Sequence, residues 1–200
     1  MLDTSFRSFY QKVLIEPFIK FAIFKKIHPN FLTILAMITG IIASFFIAIN
    51  IKYLAISLLL LSGYLDTLDG SIARKYFKTS NFGSVLDVFS DRVVEFSIML
   101  SLYLLDPTRA FFILIMLGSA YLCITSFLVV GIFFENKTQK SFHYSPGIME
   151  RTETFIFFFL MIIFPKYFIY LSLLFSFLVV YTALRRIFDF LKKSKLEKIL

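Results

Sequence analysis

Long apolar stretches constrain this chain more than any other feature of its sequence. The length of each stretch is close to the length that a helix needs to cross the hydrocarbon core of a bilayer. Only 17% of the residues are charged and 58% are hydrophobic, whereas a soluble domain has roughly 25% charged residues. The pattern predicts an all-α fold, an integral membrane bundle of six transmembrane helices, at approximately residues 31–49, 53–73, 83–105, 109–134, 149–164 and 167–188.

The basic residues are distributed unevenly between the segments that separate these runs. Of the 21 Lys and Arg residues, only Lys52, Arg109 and Lys166 lie at the three short breaks, which leaves 18 for the two long loops, Arg92 and the chain ends. Cytoplasmic segments of membrane proteins carry the excess of Lys and Arg. We therefore predict a multi-pass protein of the cytoplasmic membrane with both termini and both long loops on the cytoplasmic side.

The sequence predicts one membrane domain over residues 1–200. Residues 1–28 alternate apolar and basic side chains, which is typical of an amphipathic helix lying along the interface. Residues 29–190 would form the six-helix bundle and 191–200 a cytoplasmic tail. The net charge of +8 is explained by membrane-flanking loops and attraction to anionic lipids, so no nucleic-acid partner is expected.

One charged segment interrupts the apolar pattern between the second and third runs. It reads DTLDGSIARKYFKTSNFGSVLDVFSD over residues 66–91. Asp66 and Asp69 are three residues apart, and Asp87 and Asp91 are four apart, so each pair shares one face of its helix. If the two helices are antiparallel neighbours, all four carboxylates meet near the cytoplasmic boundary.

Converging carboxylates in a low-dielectric setting require cations, because burying unpaired charge is costly. Oxygen ligands favour Mg²⁺ or Mn²⁺, and two such ions clamping a phosphoryl group are a recurring arrangement for phosphoryl transfer. The residues alone leave two alternatives open. An aspartate-rich membrane prenyltransferase would also bind a lipid diphosphate through Mg²⁺, and a cation transporter, which is not an enzyme, would also place carboxylates in the membrane.

The segment resembles the signature of the CDP-alcohol phosphotransferase family, which is also called the CDP-alcohol phosphatidyltransferase family. The signature reads D-x-x-D-G-x-x-A-R, then any eight residues, then G-x-x-x-D-x-x-x-D. This segment matches it at every fixed position: Asp66, Asp69, Gly70, Ala73, Arg74, Gly83, Asp87 and Asp91. The resemblance implies an enzyme that moves a substituted phosphoryl group from a CDP-linked alcohol, often CDP-diacylglycerol, to a second alcohol and releases CMP. It also implies a homodimer.

The same resemblance implies roles for individual residues. Asp66, Asp69 and Asp87 would bind two metal ions, and Asp91 would complete the site and act as general base on the acceptor hydroxyl. The start of the first span, with Pro29, Asn30 and Thr33, is similar to the family segment that lines the nucleotide site. The residues expected to bind the donor are therefore Pro29, Asn30, Thr33, Asp66, Asp69, Gly70, Ala73, Arg74, Ser80 and Gly83.

The acceptor is expected to be a small polar alcohol, either a polyol or a polyol phosphate. The run from Gly83 to Arg92 is most similar to the phosphatidylinositol-phosphate and phosphatidylglycerol-phosphate synthase branches. The cytoplasmic half of the fourth run nevertheless contains no arginine, unlike relatives that use inositol phosphate. The candidates for acceptor binding are Arg92, Glu95, Lys137 and Arg151, with Lys140, His143 and Arg185 as further basic residues.

Overall fold

The computed structural model describes residues 15, 17, 27–77, 80–133 and 147–197. Most of the predicted amphipathic segment 1–28 therefore lies outside the described residues, as do Lys137, Lys140 and His143. All regular structure within the described ranges is helical, in agreement with the predicted all-α class. The chain divides into two compact units, Leu2–Arg109 and Ala110–Leu200.

The first unit contains three long helices: α1 is Pro29–Ala48, α2 is Lys52–Tyr76 and α3 is Asn81–Leu105. A short 3₁₀ turn, Pro107–Arg109, follows α3. The turn from α1 into α2 passes through Asn50, whose φ of 63° lies in the left-handed region that asparagine tolerates better than most residues. This tight turn fits the short break predicted here.

The second unit begins with α4, Ala110–Phe133, and continues after the second long loop with α5, Arg151–Ile163. A 3₁₀ turn, Pro165–Tyr167, then leads into α6, Phe168–Glu197. The two prolines that begin the 3₁₀ turns lie at predicted breaks, because proline cannot continue the ladder of the preceding helix.

The helices of the described ranges fall on the six predicted runs, but only some of them meet the length and polarity of a membrane span. Three segments do: Pro29–Ala48, Pro107–Phe133 and Pro165–Lys192. Helix α5 has 13 residues and is only about 20 Å long, short of the roughly 30 Å hydrocarbon core. Helices α2 and α3 contain the charged segment. That all six cross the membrane stays a prediction.

In the first unit, α1 packs along both α2 and α3, whereas close backbone contacts between α2 and α3 are few within the described residues. The side chains of Ile15, Leu32, Leu68 and Ile72 form a buried cluster between α1 and α2. Leu32 and Leu68 directly precede Thr33 and Asp69 in the sequence. The apolar cluster therefore sets the position of α1 against the acidic part of α2.

In the second unit, α6 packs against both α4 and α5. The ring of Phe175 in α6 lies 5.8 Å from that of Phe157 and 5.9 Å from that of Phe158 in α5. Glu150 caps the start of α5 reciprocally with Glu153, so that the first amides of this helix are satisfied by its own acids. The helix therefore begins at Arg151, two residues after the start predicted at residue 149.

Candidate metal and nucleotide site

Three of the four predicted acids converge in the first unit. One carboxylate oxygen each of Asp66, Asp69 and Asp87 lies within 4.8 Å of the other two. Asp66 and Asp69 project from consecutive turns of α2, and Asp87 reaches them from α3. Asp91 lies one helical turn beyond Asp87 and is not a member of this three-carboxylate group.

The electrostatics of the group determine what it can bind. Two full negative charges 4.8 Å apart repel by about 3.5 kcal/mol at an effective dielectric constant of about 20. Asp69 is only 5% exposed, so water screens its charge poorly. A hard divalent cation offsets this repulsion, and carboxylate oxygens are the ligands that Mg²⁺ and Mn²⁺ prefer. The donor set therefore fits a metal of this class.

Asp69 has a partner on a different helix. The Oγ1 of Thr33, in the second turn of α1, donates a hydrogen bond to Oδ2 of Asp69. Both side chains are buried, with Thr33 4% and Asp69 5% exposed. Thr33 was predicted to line the nucleotide site, and the contact with an acid of the cluster was not foreseen.

Arg74, at the end of α2, lies against the first glycine of the signature. A Cβ on Gly70 would lie 3.2 Å from Nη1 of Arg74, because the guanidinium folds back over the glycine. Its Nη2 donates to Oγ of Ser71 at 3.2 Å, and Ser71 in turn donates to the Thr67 carbonyl. Ala73, which directly precedes Arg74, is half-buried. Ser71 was missed in the sequence because serine spacing alone gives no signal.

A second glycine of the signature lies between the starts of α1 and α3. Ser80 caps α3, its Oγ accepting the Gly83 N–H at 3.0 Å. A Cβ on Gly83 would lie 3.1 Å from that oxygen and 3.3 Å from Oδ1 of Asn30. Buried Pro29 begins α1, and Nδ1 of His28 accepts the Asn30 N–H. Three predicted donor-site residues, Asn30, Ser80 and Gly83, are thus neighbours.

The candidate acceptor residues are found in different places. Nη1 of Arg92 donates to Oε2 of Glu95 at 2.6 Å, and the Glu95 side chain is almost completely buried. In the second unit, the Arg151 guanidinium lies over the Phe155 ring at 5.6 Å. Lys137 lies outside the described residues.

One buried cation was missed in the sequence. Arg186 of α6 is 8% exposed, and its Nη1 donates to the Cys123 carbonyl of α4 at 3.3 Å. The guanidinium also lies over the Phe127 ring. The second half of α4, which has no arginine of its own, is thus contacted by one from α6. Helical spacing was the available signal, because Val179, Thr182 and Arg186 share one face.

Comparison with known proteins gives this geometry a context. The profile described as CDP-alcohol phosphatidyltransferase matches residues 26–185. The inner membrane protein YnjF of Escherichia coli is 29% identical over an alignment of 172 residues that covers 82% of each chain. The archaetidylinositol phosphate synthase of Pyrococcus horikoshii is 37% identical over 78 residues, covering 39% of this chain and 42% of that protein.

A solved structure shares the fold. The Mycobacterium tuberculosis phosphatidylinositol phosphate synthase PgsA1, crystallised with CDP-DAG bound, superposes with a TM-score of 0.66 at 17% identity, over 82% of this chain and 87% of that one. The family profile covers 160 of the 200 residues and includes all eight signature positions and the three converging acids. This membrane protein, with its acidic site between α2 and α3, belongs to the CDP-alcohol phosphatidyltransferase family and is a metal-dependent transferase.

Proposed function

We propose that this enzyme transfers the phosphatidyl group of CDP-diacylglycerol to the hydroxyl of a small polar alcohol and releases CMP. The observation that carries the proposal is the convergence of Asp66, Asp69 and Asp87 within 4.8 Å in a member of this family. Family membership replaces the prenyltransferase and cation-transporter alternatives. The name of the structural relative supports the donor, because that protein was crystallised with CDP-DAG bound.

The acids of the group would hold two Mg²⁺ or Mn²⁺ ions, with Asp91 completing the set. When bound, the ions neutralise the diphosphate of the donor and the phosphate that leaves with CMP. The chain's own contribution is to fix the carboxylates on two stiff helices. Their donor atoms therefore need little reorganisation during the reaction.

Donor recognition is assigned to the glycine-lined surfaces beside the acids. Gly70, Ala73 and Gly83 carry at most a methyl group, so polar side chains such as those of Arg74 and Asn30 can lie directly against the helix backbones, where they would meet the donor. The Arg74 guanidinium, now folded over Gly70, supplies a cation for a phosphate oxygen. Asn30 and Ser80 lie beside Gly83 and supply polar groups suited to the cytosine and ribose. Pro29, which directly precedes Asn30 at the start of α1, completes this side of the site.

Asp91 is the proposed general base. Its carboxylate takes the proton of the acceptor hydroxyl while the hydroxyl oxygen forms a bond to the phosphorus that carries diacylglycerol. The bond from that phosphorus to the bridging oxygen breaks, and CMP leaves with the electron pair. Asp91 suits this role because it is not a member of the three-carboxylate group, yet it lies only one turn from Asp87.

The acceptor is proposed as a polyol or a polyol phosphate bound from the cytoplasmic side. Arg92 and Glu95 follow the proposed base on α3 and are candidates to orient its hydroxyls. Lys137 and Arg151 are candidates to neutralise a phosphate. The cytoplasmic orientation of both termini, the single domain over 1–200 and a homodimeric assembly belong to the same proposal.

Product analysis on the purified full chain tests the function. The protein in detergent micelles is incubated with CDP-diacylglycerol and Mn²⁺ or Mg²⁺. Separate reactions contain glycerol 3-phosphate, inositol, inositol 1-phosphate or serine. We expect CMP and a new phospholipid with one of these acceptors. CMP release that needs no metal, or the absence of any product with every acceptor, would contradict the proposal.

A matched pair of variants separates chemistry from folding. Asp91→Asn is expected to lower turnover by about 100-fold or more, because loss of a general base typically costs 10²–10⁴. Asp189→Asn removes an exposed acid of α6 that pairs only loosely with Arg185 and should leave turnover unchanged. Full activity in Asp91→Asn would remove Asp91 from the mechanism.

A further inference from the structure

We propose that Thr33 is a positioning residue that holds the carboxylate of Asp69 in its metal-binding orientation. The inference rests on the proposed function and gives the residue a role different from the nucleotide contact expected from the sequence. The hydrogen bond from Thr33 Oγ1 to Asp69 Oδ2 joins α1 to the acidic face of α2. Thus a helix without any acid in the cluster takes part in shaping it.

The burial of this pair makes the hydrogen bond difficult to replace. Asp69 is the most buried acid of the three-carboxylate group, and Thr33 is 4% exposed. Water cannot easily take the place of the hydroxyl, so loss of Oγ1 leaves one carboxylate oxygen without this donor. A carboxylate free to rotate about its χ2 angle presents its oxygens to a metal less consistently.

The packing of α1 supports the same role. The cluster containing Leu32 and Leu68 fixes the two helices at the neighbouring residues. Three residues after Thr33, Oγ of Ser62 donates to the Ala36 carbonyl at 2.7 Å. Contacts on both sides of Thr33 therefore keep α1 close enough for its hydroxyl to reach Asp69.

Mn²⁺ binding without substrate provides the test. The full chain in detergent is titrated with Mn²⁺, and the free ion is followed by its electron paramagnetic resonance signal. Thr33→Val, which keeps the shape and removes the hydroxyl, is expected to weaken binding about 10-fold or more, as is typical when a partner of a metal ligand is lost. Thr33→Ser should restore affinity to within about 3-fold of the wild type.

A second threonine of α1 offers a matched control. Thr39 is also buried, but its hydroxyl donates to the Leu35 carbonyl of its own helix. Thr39→Val should bind Mn²⁺ as the wild type does, with thermal unfolding measured for all variants. Equal affinities of Thr33→Val and wild type, or equal losses in Thr33→Val and Thr39→Val, would overturn the inference.

The outcomes also separate this inference from the proposed function. If the wild type binds Mn²⁺ and Thr33→Val binds it equally well but has a raised KM for CDP-diacylglycerol, Thr33 contacts the nucleotide and only the positioning role fails. If the wild type itself binds no Mn²⁺, the metal site fails and the positioning role fails with it.

Discussion

Gly40 of α1 lies so close to Val94 of α3 that no side chain fits between them. A Cβ at Gly40 would be 2.7 Å from Cγ2 and 2.8 Å from Cγ1 of Val94, and 3.1 Å from Oγ of Ser62 on α2. Glycine therefore permits α1 to approach both partner helices at one level. Close helix approach through small residues is a common means of packing within membranes. The acids of α2 and α3 depend on this approach, because α1 packs along both helices.

Replacing Gly40 by alanine is expected to destabilise the first unit. The β-branched side chain of Val94 cannot easily rotate away, and overpacking of this kind costs about 1–3 kcal/mol. The apparent melting temperature in detergent should fall by several degrees, and Mn²⁺ affinity should fall with it. Gly118→Ala is the matched control, because a Cβ at this position in α4 meets no atom within 4 Å. An unchanged melting temperature in Gly40→Ala would contradict the packing argument.

Removal of one charge from the three-carboxylate group is expected to have opposite effects on stability and on activity. Asp66→Asn removes a negative charge close to Asp69 and Asp87, at a side chain that is only half-buried. We expect the metal-free variant to melt at a higher temperature than the metal-free wild type, because like charges no longer repel. Turnover and stabilisation by added Mn²⁺ should both be lost.

Differential scanning fluorimetry with and without a chelator measures this effect, and Asp189→Asn serves as the control. A metal-free Asp66→Asn protein that melts below the metal-free wild type would show that charge repulsion does not dominate at this site.

The pair formed by Arg92 and Glu95 predicts a coupling that a double-mutant cycle can measure. Glu95 is buried and Arg92 is about one-third exposed, so removal of either partner should cost about 1–3 kcal/mol. Arg92→Met combined with Glu95→Gln should cost less than the sum of the single changes, measured as shifts in melting temperature. Strict additivity would mean that the pair contributes no coupling. If Glu95 also orients the acceptor, the double variant should keep a raised acceptor KM.

Prediction from the sequence was most accurate for features that depend on the spacing of nearby residues along the chain. Spacings of three and four residues predict that Asp87 on α3 joins Asp66 and Asp69 on α2, and the structure brings these three acids together. The contact between Thr33 and Asp69 was not predictable, because it joins residues 36 positions apart and depends on how α1 packs. Arg186 was predictable only in part. Its position on a buried helix face could be read from periodicity, but the α4 carbonyl that it binds could not.

The start of α5 yields the last prediction, which concerns a single buried backbone amide. The Met149 N–H donates to Oγ1 of Thr182 in α6 at 3.0 Å. Thr182→Val keeps the shape of the side chain but removes the acceptor, and an unpaired buried amide costs about 1–3 kcal/mol. We expect a lower melting temperature and faster hydrogen exchange in the peptide containing Met149. Thr182→Ser should restore both.

Thr125→Val is the control for this change, because the Thr125 hydroxyl is exposed and bonds only to the Tyr121 carbonyl of its own helix among the contacts described. Its melting temperature should stay within about 2 °C of the wild type, since surface substitutions usually change stability by less than about 0.5 kcal/mol. If exchange at Met149 is equally slow in Thr182→Val and in wild type, another group satisfies the amide, and α6 does not hold the start of α5 through this hydrogen bond.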